Sequence, residues 1–232
     1  MKVKQINKEE SAYRFEKKFQ TFSHYMDDVI SFLRISPAGF SEIYKERKVN
    51  SIYFDTLDFQ MYLNSIHGNA FRRKIRLRWY DNARFVEPII EIKEKNGTVG
   101  RKLKYETKKF DTKNKLFGSY ISSFIENVNS ERKTEIFNSK IFFPVLMCSY
   151  HRRYFLSSNS LTRITIDYAI SYNIINSDDT NNSINEYFDN ALVIECKFDS
   201  NTSPENILEN SFFPFFALRS SKYSNGIDYF YS

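Results

Sequence analysis

The stretch Arg72–Tyr80, RRKIRLRWY, sets five cationic side chains in nine residues. By parity, Arg72, Lys74, Arg76, Arg78 and Tyr80 take one phase, and Arg73, Ile75, Leu77 and Trp79 the other. A β-strand sends alternate residues to opposite faces, so this strand has one cationic and one mostly apolar face. Carboxylates join cations on one phase elsewhere: Glu16 with Arg14 and Lys18, Glu91 with Lys93 and Lys95, Asp167 with Arg163, and Glu195 with Lys197. Such a mixed face suits a metal–phosphate site, in which carboxylates hold a divalent ion and cations hold phosphate oxygens. The same carboxylates would repel a nucleic-acid backbone, so no nucleic-acid partner is expected.

Other chemistries lack their residues. His24, His67 and His151 are scattered without metal-ligand spacing and read as surface or core residues. No Gly-x-Ser-x-Gly elbow occurs, and no glycine begins a Gly-x-x-x-x-Gly-Lys phosphate loop. A bound nucleotide would therefore be held by side-chain cations. The net charge of +6 favours an anionic partner without naming one. Cys148 and Cys196 form no metal-type pair. The N-terminus has no signal-peptide run, and no stretch approaches a membrane span, so a reduced, cytoplasmic protein is expected.

The elements that must position these residues repeat the parity split. YRFEKKF, NSIYFDT, IIEIKEK, RKLKYET, TRITIDYAI and LVIECKF join the opening stretch as seven strand-like segments. Glu94-Lys95-Asn96-Gly97 carries a turn signal between two of them, predicting a hairpin. SHYMDDVISFLRIS predicts a helix with Tyr25, Val29, Phe32 and Leu33 on one stripe and Ser23 as its N-cap. NKLFGSYISSFIENV and SPENILENSFF are further helix candidates, and residues 173–185 read as a polar loop. One α+β domain over residues 1–232, built on an antiparallel sheet, is the economical reading. So large a sheet tends to curl or close. With the apolar faces outward under helices, the charged faces would line a wet tunnel.

The segments RFEKKF, VNSIYFDT, RRKIRLRWY, IIEIKEK, YHRRYF, TRITIDYAI, VIECKF and LRSSKYSNGI follow one another in the order of a known family. From about Arg14 to Gly226 the chain resembles the VTC domain, the catalytic domain of the vacuolar transporter chaperone polyphosphate polymerase. That domain also occurs as stand-alone bacterial proteins and belongs to the triphosphate tunnel metalloenzymes. The resemblance implies an antiparallel β-barrel tunnel with helices packed outside. It implies binding of ATP and Mn²⁺ or Mg²⁺, and transfer of the γ-phosphate to a growing polyphosphate chain.

Motif by motif, Lys18 matches the first-strand lysine, Arg76 and Arg78 the arginine pair, and Lys93 the lysine of the Glu-Ile-Lys strand. Lys102 or Lys104 matches the lysine of the next strand. Arg152 matches the arginine of the Y-x-R-x-x-F motif, with Arg153 beside it as the alternative. Arg163 matches the arginine of the R-I-x-x-D strand, and Arg219 and Lys222 match the paired late cations. Glu195 matches the metal-binding glutamate. Glu16 is the remaining glutamate of a superfamily Glu-x-Glu-x-Lys pattern that here reads Arg14-x-Glu16-x-Lys18. Lys197, on the phase of Glu195, joins the substrate-binding set. Arg76, Arg78, Lys93 and Glu195 are the expected catalytic group. The same site acting with water would make an inorganic triphosphatase or nucleotide phosphohydrolase, and without turnover a polyphosphate-binding module.

Overall fold

A computed structural model describes residues 14–97, 99–107, 109–112, 142–175, 186–199, 217–218 and 220–231. The helix candidates at 114–128 and 203–213, and Arg219, lie outside the described residues. Strand β1 (Arg14–Phe22) leads through a 3₁₀ turn (Ser23–Tyr25) into helix α1 (Met26–Ile35). Then come β2 (Ser41–Asp55), α2 (Gln60–Ile66), β3 (Phe71–Tyr80), β4 (Phe85–Val86), β5 (Ile89–Asn96), β6 (Val99–Glu106) and β7 (Phe110–Asp111). The described chain closes with β8 (Phe143–Leu156), β9 (Thr162–Ile174), β10 (Glu186–Asp189), β11 (Ala191–Asp199) and α3 (Lys222–Tyr231).

The main sheet runs β1-β11-β9-β8-β2-β3-β5-β6, antiparallel throughout, with β10 on β9; β4 and β7 pair separately. The predicted β5–β6 hairpin is present, with Gly97 at φ +59° where a side chain would be strained. No backbone ladder joins the two ends of the sheet among the described residues. The curl is nevertheless deep: Glu16 on edge strand β1 meets Lys93 on β5, one strand from the opposite edge, at 3.6 Å. The segment before α3 adds a second tie, since Ala217 bridges Phe19 and Lys74 of β3 donates to Ser221.

Parity sorts the faces as the sequence implies. Ile75, Leu77 and Trp79 pack with Ile52, Phe54, Ile90 and Ile92 on the outer face. Around the curl, Phe19, Ile164, Ile166, Ile194 and Cys196 pack under Val29, Ile30 and Leu33 of α1. Two details differ from expectation. Ser23 does not cap α1; it sits in the 3₁₀ turn, and its hydroxyl donates to the Asn190 side chain. The polar segment begins later than residue 173, because Asn173 and Ile174 complete β9 and pair with Met147 and Leu146.

Helix α3 departs from the expected packing of helices outside and occupies the inward side, because its Tyr223 and Ile227 meet an apolar patch there. Its Tyr223 and Ile227 pack with Tyr53, Leu146, Cys148, Tyr172 and Val193, all on inward phases. On β9 that phase shifts across an irregularity marked by Ala169 at φ +48°, so Asp167 and Tyr172 both face inward although their spacing is odd. Gly226 allows the close approach: a Cβ there would lie 2.5 Å from Leu146 Cδ2 and 2.7 Å from Tyr172 Cδ1. Among the described residues no helix is long and apolar enough to cross a membrane.

Candidate active site: a tunnel of balanced cations

The inward face gathers its charges into three sets, each organised by carboxylate. Glu91 on β5 centres the first. Arg76 reaches it through Nε at 2.7 Å and Nη2 at 2.5 Å, Arg78 at 3.5 Å, and Lys102 at 2.7 Å. Glu91 is 6% exposed. Burial alone would raise its pKa, but Arg76, Arg78 and Lys102 outweigh it and hold the carboxyl well below its usual range. Arg76 also donates to the Tyr53 hydroxyl at 3.4 Å and Arg78 to the Tyr150 hydroxyl at 3.1 Å, while Arg78 Nε is buried without a partner. Lys102 is depressed to about 8, chiefly by burial.

Asp167 on β9 centres the second set and is almost fully enclosed. Arg152 makes a two-pronged contact with it, at 2.5 and 2.7 Å, and Lys222 approaches at 2.5 Å. Both cations also lie over the Tyr150 ring, Lys222 at 4.5 Å and Arg152 at 5.3 Å from its centroid. These partners outweigh burial and lower the Asp167 pKa, and the Lys222 pKa is raised in return.

The third set joins β1, β11 and β5. Glu195 pairs with Lys197 at 2.8 Å; Glu16 pairs with Lys18 at 3.3 Å and with Lys93 across the curl. Burial works against both carboxylates. For Glu195 the lysines 197 and 18 and Arg152 prevail; for Glu16, which Glu195 also pushes up, Lys93, Lys18 and Lys197 do. Lys18 further donates to the Ser220 carbonyl at 3.2 Å.

The two alternative pairs are placed differently. Arg152 faces inward, whereas Arg153 makes two bonds of 2.8 and 2.7 Å to Glu42 on the outer face. Lys102 forms the pair with Glu91, although Lys104 stands opposite Glu91 in the ladder. Arg73 is outward, bonded to Glu94 at 2.8 Å. Arg163 lies opposite Lys197 at the start of β9 and is exposed. Four inward groups were not singled out from the sequence: Tyr53, Lys74, Tyr150 and Ser221. Parity marks Lys74 and Tyr150, which share the phase of Arg76 and Arg152, and the ladder sets Tyr53 opposite Arg76. Nothing local marks Ser221, which arrives with the C-terminal segment.

The donor set fits a hard divalent ion in one particular way. Glu195 lies close enough to push the Glu16 pKa up against the lysines that lower it, and both offer oxygen. Among the described residues no group of three or more His, Cys, Asp or Glu could hold a metal. Two carboxylates completed by phosphate oxygens is the binding mode that Mg²⁺ commonly takes.

The family model described as the VTC domain matches residues 2–231. No curated protein sequence matches the chain. A solved candidate adenylate cyclase from Vibrio parahaemolyticus is similar at a TM-score of 0.52 and 10% identity, covering 94% of this chain and 98% of that one. A candidate adenylate cyclase from Bacillus halodurans gives 0.48 at 17% identity, covering 95% and 98%. A candidate adenylyl cyclase from Hippeastrum, described as having a dominant triphosphatase activity, gives 0.49 at 16% identity, covering 93% and 96%. The first of these shares the fold; the other two fall below the similarity that carries weight. With its curled antiparallel sheet and a family match from end to end, the chain belongs to the VTC domain family.

Proposed function

We propose that residues 1–232 form one tunnel domain that acts as an ATP-dependent polyphosphate polymerase, moving the γ-phosphate of ATP onto a growing polyphosphate chain. The supporting observation is the family match over a tunnel whose inward arginines and lysines are already held in place by carboxylates. Phosphoryl transfer depends mainly on positioning and on neutralising charge. Arg76, Arg78 and Lys102, kept oriented by Glu91, would turn their remaining N–H donors to triphosphate oxygens. Arg152 and Lys222, anchored on Asp167, would hold the neighbouring phosphates, with Lys18, Lys93 and Lys197 completing the cationic wall. Arg163, Arg219 and Lys104 belong to the proposed substrate-binding set through the family motifs. Glu16 and Glu195 would hold Mn²⁺ or Mg²⁺, which when bound would supply neutralisation of phosphate charge. The acceptor, a phosphate-chain end, is itself an anionic nucleophile and asks no strong base of the protein.

The purified protein incubated with ATP and Mn²⁺ should release ADP and build an anionic ladder on a gel that an exopolyphosphatase removes. Orthophosphate as the sole product would make the chain a triphosphatase. Tight triphosphate binding with no ATP consumed under any divalent metal would make it a binding module.

A further inference from the structure

The carboxylate-centred sets occupy the middle of the inward face, and one end of that face carries a different chemistry. Tyr80 lies two residues beyond Arg78 on β3, and Tyr154 two residues beyond Arg152 on β8, so each keeps the inward phase of its arginine. The ladders set Tyr44 opposite Tyr154 and Arg47 opposite Arg152, which brings both β2 residues to the same face. Tyr44 and Arg47 are three positions apart and in a regular strand would face opposite ways. A register shift between them turns both inward, and bulges beside working sites commonly re-aim a side chain in this way.

These side chains meet one another. The Arg47 guanidinium lies over two rings, 5.7 Å from the centroid of Tyr44 and 5.8 Å from that of Tyr80. Tyr154 meets Tyr44 edge to face, with centroids 5.7 Å apart. Arg152 is held by Asp167, whereas Arg47 opposite it pairs with no carboxylate among the described residues. Rings kept only for packing would be covered, yet Tyr44 is 53% exposed and Tyr80 40%.

The place of the cluster says what it would hold. Two residues along a strand advance roughly 7 Å, so the rings stand one step beyond Arg78 and Arg152. Helix α3 fills the inward face towards the other end of β2 and β8, around Tyr53 and Leu146. A nucleotide with its phosphates among Arg76, Arg78 and Arg152 therefore finds room for its nucleoside at the tyrosine end. Tyrosine rings and a guanidinium plane present flat faces, and every nucleobase has a face to match them.

We propose that Tyr44, Arg47, Tyr80 and Tyr154 form a nucleobase platform at this mouth of the tunnel, on which the base of the phosphate-donating nucleotide stacks. The proposal rests on the donor being a nucleoside triphosphate. It makes affinity for the donor depend on rings that inorganic triphosphate does not need. Recognition by stacking also leaves the edges of the base unread, so adenine and guanine nucleotides should bind alike.

The test is calorimetric titration of the intact protein, in one Mg²⁺-containing buffer, with tripolyphosphate and with an ATP analogue whose β–γ bridge is an imido group. Tyr44→Leu and Tyr80→Leu should each weaken the analogue about ten-fold and leave tripolyphosphate within about two-fold, as loss of one stacking face requires. Retained tripolyphosphate affinity also reports that the tunnel is folded. Tyr44→Phe keeps the ring and should bind the analogue within about two-fold of the wild type, and the matching GTP analogue should lose affinity in parallel with the ATP analogue. Equal losses for the analogue and tripolyphosphate, no loss for the analogue, or a loss in Tyr44→Phe as large as in Tyr44→Leu would each overturn the platform. None of these readouts involves turnover. Ring-dependent nucleotide binding without a ladder from ATP would keep the platform and remove the polymerase reading, and a ladder with ring-independent binding would do the opposite.

Discussion

At the residue scale, the tunnel separates neighbours of identical chemistry by one step along the strand. Arg76 and Arg78 converge on Glu91, while Arg73 is bonded to Glu94 on the other face. Arg76→Ala or Arg78→Ala should therefore lower kcat/KM for ATP by roughly 10²-fold, about 3 kcal/mol of lost charge-assisted bonding. Arg73→Ala should leave it near the wild-type value, since Arg101 still pairs with Glu94. Steady-state kinetics on the three variants decides the matter, and damage confined to Arg73→Ala would mean that the working face has been misassigned. The buried ion pairs themselves are weak evidence for stability, because desolvation offsets most of their attraction. Their clearer consequence is orientation: two prongs from Arg152 to Asp167 leave that guanidinium little freedom.

At the element scale, α3 links the apolar end of the tunnel to its charged centre. Tyr223 and Ile227 anchor the helix among Leu146, Cys148 and Tyr172, and its first residue, Lys222, reaches Asp167. Asp55 supports the same junction from β2: buried, it accepts bonds from the Met61 and Tyr62 amides, both at 2.9 Å, and from the Tyr223 hydroxyl. Gly226→Ala would press a methyl group into Leu146 and Tyr172, neither of which has open space behind it. The variant should lose about 1–3 kcal/mol, as overpacked cores do. It should also lose ATP turnover out of proportion to that, because a displaced α3 withdraws Lys222 from Asp167. Denaturant melts alongside rate measurements test this. A variant that is destabilised yet fully active when folded would show that α3 does not set the position of Lys222.

At the scale of the whole molecule, the tunnel makes stability depend on pH in a direction unusual for a carboxylate-rich protein. Burial depresses Lys74 to about 7 and Lys102 to about 8, against an ordinary 10.5. The unfolded chain therefore binds more protons than the folded one above pH 7, and the stability of the free protein should rise with pH. The rise should slow near pH 9, where the buried thiols Cys148 and Cys196, both pushed up from 9.0, keep protons that the unfolded chain releases. In acid the sign comes from Glu91, Glu195 and Asp167, whose folded pKa values lie below their ordinary ones; the stability they contribute is lost as pH falls below the usual carboxylate range. Urea unfolding at a series of pH values, in buffers free of multivalent anions, checks both limbs. A flat or falling profile between pH 7 and 9 would remove the depressed lysines from the account, and Lys74→Met should reduce the slope in any case.

The sequence by itself determined which face the side chains occupy along the regular stretches of the strands, though not across the irregularity on β9. Sterics fix a period of two in any strand, so Arg76, Arg78, Lys93, Glu195 and Lys18 could be placed on one surface before any contact was known. It also determined the hairpin at Gly97 and, through Val29, Phe32 and Leu33, the apolar stripe of α1, which follow from local backbone and helix geometry; Tyr25, expected on that stripe, sits in the 3₁₀ turn and is exposed. Only the tertiary structure decided which cation meets which carboxylate. Lys102 rather than Lys104 reaches Glu91, and Arg152 rather than Arg153 reaches Asp167, because the side chains' reach across the ladder and the irregularity on β9 are not carried by parity. The tertiary structure likewise brought Ser220, Ser221 and Lys222 into the tunnel from beyond β11, and curled the sheet until Glu16 met Lys93. Those contacts join residues as many as 202 positions apart, where loop closure rather than local preference sets the outcome, and no local pattern of charge or hydropathy encodes them.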